Sequence, residues 1–236
     1  MPMNRTSPQR IFLGIALTTV LTQPLLAETL SVCTEGGCDF SSIQAAIDAA
    51  EDGDVIEIAA GTYLVEQTID TVGKAITLRG SVDSKTGETR TILDGQGLHR
   101  VLQCLSGEGP DTVFDGLLIQ NGVAPLTDWF GDGNANEYRL GGGVLIRNSS
   151  PVLSNCILQN NRADGSGGGI FAGSINDGTS EPDFINCTFT NNSAEGSGCG
   201  MYNYFSSPTL TNCTFTDNSN ENYGGGMYNY FSSPTL

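Results

Sequence analysis

Short runs in which hydrophobic and polar residues alternate occupy most of the second half of the chain. Leu210 and Thr211 are expected to point to opposite sides of a strand, and Asn212 interrupts the alternation. Cys213 and Phe215 then return to the side of Leu210. The same arrangement occurs twice earlier, with the inward positions Leu153, Cys156 and Leu158, and then Phe184, Cys187 and Phe189. A period of two over so few residues predicts short strands rather than amphipathic helices.

These strands belong to an internal repeat. The segment MYNYFSSPTL at 201–210 recurs letter for letter at 227–236, a period of 26 residues. Other markers recur at spacings of 26 or 31 residues: the position after a glycine-rich triplet (Val144, Ile170, Met201, Met227), a proline (Pro151, Pro182, Pro208, Pro234) and an Asn-Cys pair (Asn155, Asn186, Asn212). Repeats that pair only with their neighbours predict a parallel β-solenoid with rungs about 4.8 Å apart. Asparagine suits the corners, because it tolerates a left-handed backbone and its amides bond along the stack.

The first half of the chain predicts a cap followed by less regular rungs. Residues 41–50 predict a short helix with Ser41 or Ser42 as N-cap and with Ile43, Ala46 and Ile47 on one face. The segment DVIEIAAGTY then alternates as a strand that ends in a turn, and four further strand-like segments with Gly- and Asp-rich turns follow. We expect residues 28–60 to form the N-terminal cap of a single domain that spans residues 28–236.

Residues 1–27 have the features of a secretory signal peptide. Arg5 and Arg10 precede an apolar run from Ile11 to Val20, and the segment ends on the small residue Ala27, with cleavage expected before Glu28. The apolar run is shorter than the roughly 18 residues that a membrane span needs, and we expect no transmembrane segment in the mature chain. The predicted location is therefore outside the cytoplasm, either secreted or at the cell surface.

Export affects the interpretation of the seven cysteines. Cys33 and Cys38 flank the segment TEGG and are predicted to form a disulfide in an oxidising compartment. Cys156, Cys187 and Cys213 recur at one inward position and are expected to stack as buried thiols, and Cys199 is the candidate for a reactive thiol.

The repeat resembles that of bacterial polymorphic outer membrane proteins. The glycine-rich tetrads GGGV, GGGI, GCGM and GGGM are combined with FTNN (189–192) and FTDN (215–218) over residues 141–236. More widely, residues 28–236 resemble the pectin-lyase-like superfamily, which implies a right-handed parallel β-helix with a short capping helix, but carries no activity with it. Because the chain stops inside a repeat at Leu236, we expect it to be a fragment of a longer protein.

The charge excludes one class of partner and disfavours another. The 236 residues include 10 Lys and Arg and 26 Asp and Glu, for a net charge of −16, and removal of the leader takes this to −18. Such a chain cannot neutralise phosphates, so nucleic-acid binding is excluded. An anionic glycan is disfavoured unless cations bridge it.

The resemblance implies where catalysis would lie if the protein is an enzyme. Polysaccharide lyases and hydrolases of the superfamily use Asp clusters, often with Ca²⁺, and an Arg or Lys base. The candidates are Asp94, Asp115 and Arg100, with Asp111 and Arg79 as further members. Asp94 and Asp115 each precede a glycine, which is also the composition of an ordinary solenoid turn. No metal site and no cofactor are predicted.

The insert at 123–140 contains the only tryptophan, Trp129, a candidate for stacking on a ligand. Asp132, Asn134 and Asn136 alternate as at the start of a calcium loop, but the glycine and glutamate of an EF-hand are missing, so Ca²⁺ is only a minor alternative. A packing loop or lid is the other interpretation.

The tyrosines suggest a binding surface. Tyr202, Tyr204, Tyr228 and Tyr230 are expected to face outward in two successive rungs. They either stack to stabilise the solenoid or offer an aromatic strip to a polysaccharide or a cell-surface partner. The leading hypothesis is a secreted or bacterial surface-displayed β-helix, adhesin-like or glycan-contacting and non-catalytic. A polysaccharide lyase or hydrolase and a structural spacer are the alternatives.

Overall fold

The computed structural model describes residues 27–127, 138–176, 178–219 and 224–236. Within these ranges the chain is almost entirely strand, with one helix, α1 (Ile43–Ala49). In chain order the strands are β1 (Thr29–Val32), β2 (Val55–Ile58), β3 (Gly61–Leu64), β4 (Ile69–Asp70), β5 (Thr77–Gly80), β6 (Thr91–Asp94), β7 (Leu102–Cys104), β8 (Val113–Asp115), β9 (Leu117–Gln120), β10 (Leu126–Thr127), β11 (Tyr138–Arg139), β12 (Val144–Arg147), β13 (Val152–Ser154), β14 (Ile157–Gln159), β15 (Arg162–Ala163), β16 (Ile170–Gly173), β17 (Asp183–Ile185), β18 (Thr188–Thr190), β19 (Ser193–Ala194), β20 (Met201–Tyr204), β21 (Thr209–Thr211), β22 (Thr214–Thr216) and β23 (Met227–Tyr230).

Three parallel sheets form the faces of a solenoid. Sheet A has the order β1-β2-β5-β8-β13-β17-β21, sheet B the order β3-β6-β9-β14-β18-β22, and sheet C the order β4-β7-β12-β16-β20-β23. Each full turn of the chain adds one strand to every sheet, so a strand bonds only to the equivalent strand of the next turn. The all-β parallel solenoid predicted from the repeat is confirmed.

The register follows the repeat. Ile170 of β16 pairs with Met201 of β20, and Met201 pairs with Met227 of β23. These steps are the 31- and 26-residue spacings of the sequence, and the five extra residues fall in the connection between β16 and β17. The insertion is tolerated because it lies in a connection outside the paired strands.

The inward positions form one continuous hydrophobic core. The six residues expected to point inward, Leu153, Cys156, Leu158, Phe184, Cys187 and Phe189, are all fully buried. The Phe189 ring stacks on Phe215 of the next turn with ring centroids 4.4 Å apart. Because every turn repeats this geometry, burial of apolar surface increases with each added rung.

Asparagine ladders run along two corners of the solenoid. Asn155, Asn186 and Asn212 have φ of 52°, 54° and 53°, and the Asn186 Nδ2 group donates to Asn155 Oδ1 at 3.1 Å. This predicted ladder is confirmed. A second ladder consists of Asn161, Asn192 and Asn218, and Asn161 and Asn192 are fully buried. The burial of this ladder was not predicted from the sequence.

The helix α1 lies at the N-terminal end of the solenoid and contacts β1, β2 and β4. The Ser42 hydroxyl accepts a hydrogen bond from the Ala45 N–H, and Ile43, Ala46 and Ile47 are buried, as predicted. The disulfide between Cys33 and Cys38 is present. The expected leader lies outside the described residues, apart from Ala27. In the part of the chain that the structure describes, no helix has the length and apolar character needed to cross a bilayer.

The free cysteines include one correction. Cys156 and Cys187 are buried and Cys213 is half-buried, in agreement with the expected stack. Cys199, expected to be reactive, is instead fully buried, and its Sγ donates to the Ser219 carbonyl at 2.8 Å. The prediction failed because Cys199 occupies a glycine position of the tetrad, where the backbones of neighbouring turns approach closely and exclude solvent.

Candidate functional site

Asp94 ends β6 on the outer face of sheet B. Its carboxylate accepts hydrogen bonds from the Gln96 N–H at 2.8 Å, from Gln120 Nε2 at 2.8 Å and from Asn121 Nδ2 at 3.0 Å. Burial raises the pKa of Asp94, but these three donors outweigh it and leave the pKa below its ordinary value. Asp94 is therefore an ionised carboxylate whose oxygens accept hydrogen bonds from the turn that follows it and from the end of the neighbouring strand.

Asp115 ends β8 on sheet A. It accepts hydrogen bonds from the Ser154 hydroxyl and from Asn155 Nδ2, both at 2.8 Å, and forms an ion pair with Arg79 at 3.7 Å. Asp115 thus begins the outer asparagine ladder, with Asn155 as the next member. Arg79 is half exposed, so this ion pair contributes little to stability.

Arg100 lies two residues before β7 of sheet C and is almost completely buried. Its guanidinium donates to the carbonyls of Gly141 at 2.9 Å and Leu140 at 2.8 Å, and to Gln103 Oε1 at 3.2 Å. Burial lowers the pKa of Arg100 to about 9, which still leaves it charged at neutral pH. The catalytic candidates Asp94 on sheet B, Asp115 on sheet A and Arg100 before β7 therefore have separate partners and are not brought together.

The outer face of sheet C changes character along its length. The outward row of paired residues runs in the order Asp70, Gln103, Leu145, Phe171, Tyr202 and Tyr228. Its middle is covered, because Leu140 and Tyr138 pack against Leu145 and Phe171 in a second hydrophobic cluster. On either side of this covered middle, the row has a polar end at Asp70 and an aromatic end at Tyr228.

The predicted tyrosines face outward at this aromatic end. The Tyr202 ring stacks on Phe171 with centroids 4.9 Å apart and on Tyr228 at 5.2 Å. Tyr204 stacks on Tyr230 at 5.4 Å with an interplanar angle of 3°. We call the six residues of these two rungs the aromatic surface: Tyr202, Tyr204, Phe205, Tyr228, Tyr230 and Phe231. Burial raises the pKa of Tyr202 to about 12, so its phenol stays neutral in any physiological setting.

Two members of the aromatic surface were missed by sequence reasoning. Phe205 and Phe231 stack on each other with centroids 4.9 Å apart, and they are 47% and 71% exposed. Both have left-handed backbones, with φ of 48° and 49°. Asn148 holds the equivalent position after β12, with φ of 50°. The sequence could have indicated the two residues only through a phenylalanine at a corner position where an earlier turn has asparagine.

Within each of the two turns, the phenylalanine and the neighbouring tyrosine meet edge to face. Phe205 lies at 74° to Tyr204, and Phe231 lies at 88° to Tyr230. The centroid distances of 4.9 Å and 5.4 Å within the two stacks are in the range of aromatic pairs that interact favourably. Phe205, Tyr230 and Phe231 are exposed to solvent, whereas Tyr202, Tyr204 and Tyr228 are half-buried.

Asp111 is exposed in the turn before β8, and the other predicted site residues lie outside the described part of the chain. Trp129 and the calcium-loop candidates Asp132, Asn134 and Asn136 all fall within residues 128–137. Among the residues that are described, no group of three or more His, Cys, Asp or Glu side chains has a metal-binding arrangement.

Comparison with known proteins identifies the family. The family model of the right-handed β-helix region matches residues 115–236, just over half of the chain. The chain belongs to the right-handed β-helix family. A search of curated proteins finds no match.

Solved structures similar to this right-handed β-helix include two of pectin methylesterase from Aspergillus niger. The penultimately deglycosylated form is 17% identical with a TM-score of 0.44, and the alignment covers 86% of this chain and 75% of the esterase chain. The deglycosylated form is 16% identical with a TM-score of 0.41, over 87% and 85% of the two chains. At these values no conclusion about activity follows.

Proposed function

We propose that this right-handed β-helix is an exported protein that binds a neutral polysaccharide through its aromatic surface. The observation that carries the proposal is the pair of exposed phenylalanines, Phe205 and Phe231, at left-handed corner positions. A bulky side chain at positive φ costs of order 1–3 kcal/mol, and such strain concentrates at binding sites. Stacking for stability alone requires neither the strained backbone nor the exposure of these rings.

The chemistry of the surface favours a carbohydrate. The aromatic rings offer flat apolar area, and the hydroxyls of Tyr204 and Tyr230 add polar tips beside it. A sugar ring has the same combination of an apolar face and a hydroxylated rim. The net charge of −16 disfavours an anionic chain, so the proposed ligand is a neutral polysaccharide.

Export is supported by two features. The first 27 residues have the basic, apolar and small-residue regions of a secretory leader, and the Cys33–Cys38 disulfide belongs to an oxidising compartment. Display on a bacterial surface rests on the resemblance of the GGGM and FTDN segments to polymorphic outer membrane protein repeats.

Affinity electrophoresis tests the proposal. The purified mature chain is run through gels that contain neutral polysaccharides or, in parallel, acidic ones. The double variant Phe205→Asn with Phe231→Asn removes both rings and places at each corner the residue found at Asn148. We expect retardation by at least one neutral polysaccharide, and a loss of affinity of about tenfold in the double variant with unchanged or higher thermal stability.

Leu98→Asn is the matched control, because Leu98 is an exposed apolar residue, 69% accessible, in the turn after β6 and outside the aromatic surface. It is expected to retain wild-type affinity. Equal retardation of the wild type and the double variant contradicts the proposal, as does no retardation by any neutral polysaccharide. Release of new reducing or unsaturated ends, measured with Ca²⁺ and with chelator, favours the enzyme alternative instead.

A further inference from the structure

A cleft of about 830 Å³ opens at the polar end of sheet C, beside the N-terminal cap. It lies between the start of α1, the segment 64–68 and the outward side chains of Asp70 and Gln103. Strands β12, β16 and β20 separate β7, which carries Gln103, from β23 at the aromatic end, so this cleft and the aromatic surface are separate sites. Its volume is in the range of small-molecule pockets, about 300–1,000 Å³.

The lining is rich in hydrogen-bonding groups and carries negative charge. It contains five serine and threonine hydroxyls, three side-chain amides and two carboxylates: Thr34, Ser41, Ser42, Thr62 and Thr68; Gln44, Gln67 and Gln103; and Glu66 and Asp70. None of the lining residues is Lys, Arg or His. Apolar area comes from Ile43, Tyr63, Leu64, Val65 and Ile69. A ligand that fits this lining carries many hydroxyls and a positive charge.

Asp70 is held in place from four directions. Its N–H donates to Gln44 Oε1 and its carbonyl accepts from Gln44 Nε2, both at 3.0 Å. Its Oδ1 accepts from the Val72 N–H at 2.8 Å, and its Oδ2 accepts from Gln103 Nε2 at 2.7 Å. Each carboxylate oxygen retains a further lone pair. The carboxylate is therefore a pre-positioned acceptor, which lowers the entropy that binding must overcome.

Arg100 determines which way the Gln103 amide points. The guanidinium donates to Gln103 Oε1 at 3.2 Å, which leaves Nε2 to donate to Asp70. Arg100 is buried behind Gln103 and is not part of the lining, so it orients the amide without presenting its own charge to the cleft. Glu66, in contrast, is exposed at the cleft and adds a second carboxylate.

We propose that this cleft binds an amino sugar, either free or as a unit of a short oligosaccharide. The hydroxyls and amides of the lining match the hydroxyls of the sugar, and Asp70 and Glu66 match its ammonium group. A neutral sugar would satisfy the hydroxyl partners but leave both carboxylates without a cation. An anionic sugar would be repelled by them.

Calorimetric titration with three trisaccharides tests the proposal: β-1,4-linked glucosamine, its fully N-acetylated form and galacturonic acid. The titrations are done at a pH at which the glucosamine amines are protonated. We expect binding of the glucosamine trisaccharide that weakens as salt is added, and no binding of the galacturonic acid trisaccharide. The N-acetylated form is expected to bind about tenfold more weakly, because it lacks a charge-assisted hydrogen bond.

Variants connect the binding to the cleft. Glu66→Gln preserves the shape of an exposed side chain and is expected to weaken glucosamine binding about tenfold, while Glu181→Gln, an exposed acid on another part of the solenoid, is the matched control. The double variant Phe205→Asn with Phe231→Asn is expected to bind as the wild type does. Equal affinity for the charged and acetylated trisaccharides, no effect of Glu66→Gln, or no glucosamine binding each overturns the proposal.

Discussion

The Thr71 hydroxyl donates a 2.9 Å hydrogen bond to Oε1 of Glu108, a side chain that is 2% exposed. The same oxygen accepts from the Gly73 N–H at 2.9 Å. The other oxygen, Oε2, accepts from the Ser106 N–H at 2.9 Å and from the Ser149 hydroxyl at 2.8 Å. One buried carboxylate thus joins three successive turns of the solenoid next to sheet C. The four donors satisfy a charge that would otherwise be costly to bury.

We expect Glu108→Gln to lower the free energy of unfolding at pH 7 by about 1–3 kcal/mol, because the amide brings a donor against groups that already donate. Burial raises the pKa of Glu108, but the hydrogen bonds outweigh it and hold the pKa below the ordinary value of 4.5. Glu108 therefore stabilises the fold above pH 4.5, and this stabilisation is lost as the pH falls through the folded-state pKa.

Urea unfolding at pH 7 and at successively lower pH values checks this prediction. The difference between the wild type and Glu108→Gln should shrink as the solution becomes more acidic. Asp39, Asp83 and Asp94, whose pKa values are also lowered, contribute to the acid dependence that remains in the variant. A difference that stays constant from neutral to acid pH would show that Glu108 acts through its shape rather than its charge.

The five free thiols are predicted to be unreactive in the folded protein. Hydrogen bonding to Cys156, with a further contribution from burial, raises the pKa of Cys187 to about 12, and burial raises that of Cys104 well above its ordinary value. The pKa of the half-buried Cys213 is raised too, first by its hydrogen bond to Cys187. Since the thiolate is the reactive species, an aromatic disulfide reagent at pH 8 should titrate almost no thiol natively and five after denaturation. Rapid labelling of Cys199 in the folded state would contradict its burial.

The buried asparagine ladder should be more sensitive to mutation than the exposed one. Asn192 Oδ1 accepts from Asn161 Nδ2 at 3.0 Å, and Asn192 Nδ2 donates to the Leu158 carbonyl at 2.9 Å. Asn192→Ala leaves these buried partners unsatisfied and should cost about 3 kcal/mol. Asn186→Gly, at an exposed corner where glycine accepts the left-handed backbone, should cost about 1 kcal/mol or less. Thermal unfolding of both variants measures the difference, and equal losses would be evidence against a special role for burial.

Lys74 is predicted to hold the N-terminal cap in place. Its Nζ donates to the carbonyls of Ile47 at 2.7 Å, Asp48 at 2.9 Å and Ala50 at 2.8 Å, at the C-terminal end of α1. Lys74→Met should cost about 1–3 kcal/mol and reduce the protection of the α1 amides against hydrogen exchange. Lys85→Met, at an exposed lysine in a turn, is the control and should leave exchange unchanged. Unaltered α1 protection in Lys74→Met would show that apolar packing alone docks the helix.

By itself, the sequence was enough to predict the solenoid. The markers at Ile170, Met201 and Met227 recur at spacings that become the pairing register of sheet C, because each turn repeats the one before it and local pattern and global fold coincide. Ser42 as N-cap and the Cys33–Cys38 pair were also predictable, since both depend on residues close together in the chain. The outward direction of the candidate tyrosines was predictable as well, because alternation along a strand determines which face of the sheet each side chain is on.

Only the tertiary structure decided what depends on contacts between turns. The sequence could not distinguish the exposed Asn186, which has a left-handed backbone itself, from the buried Asn192, which follows the left-handed Asn191. The meeting of Asp70, Gln103 and Arg100 lies in the irregular first turns, where no repeat fixes which residues stand side by side. The left-handed Phe205 contradicts its own local preference, so its corner conformation is imposed by the pairing of β20 with its neighbours. In a solenoid the repeating interactions can be predicted from the sequence, whereas the departures from the repeat, such as the cleft beside the N-terminal cap, are determined by packing between turns.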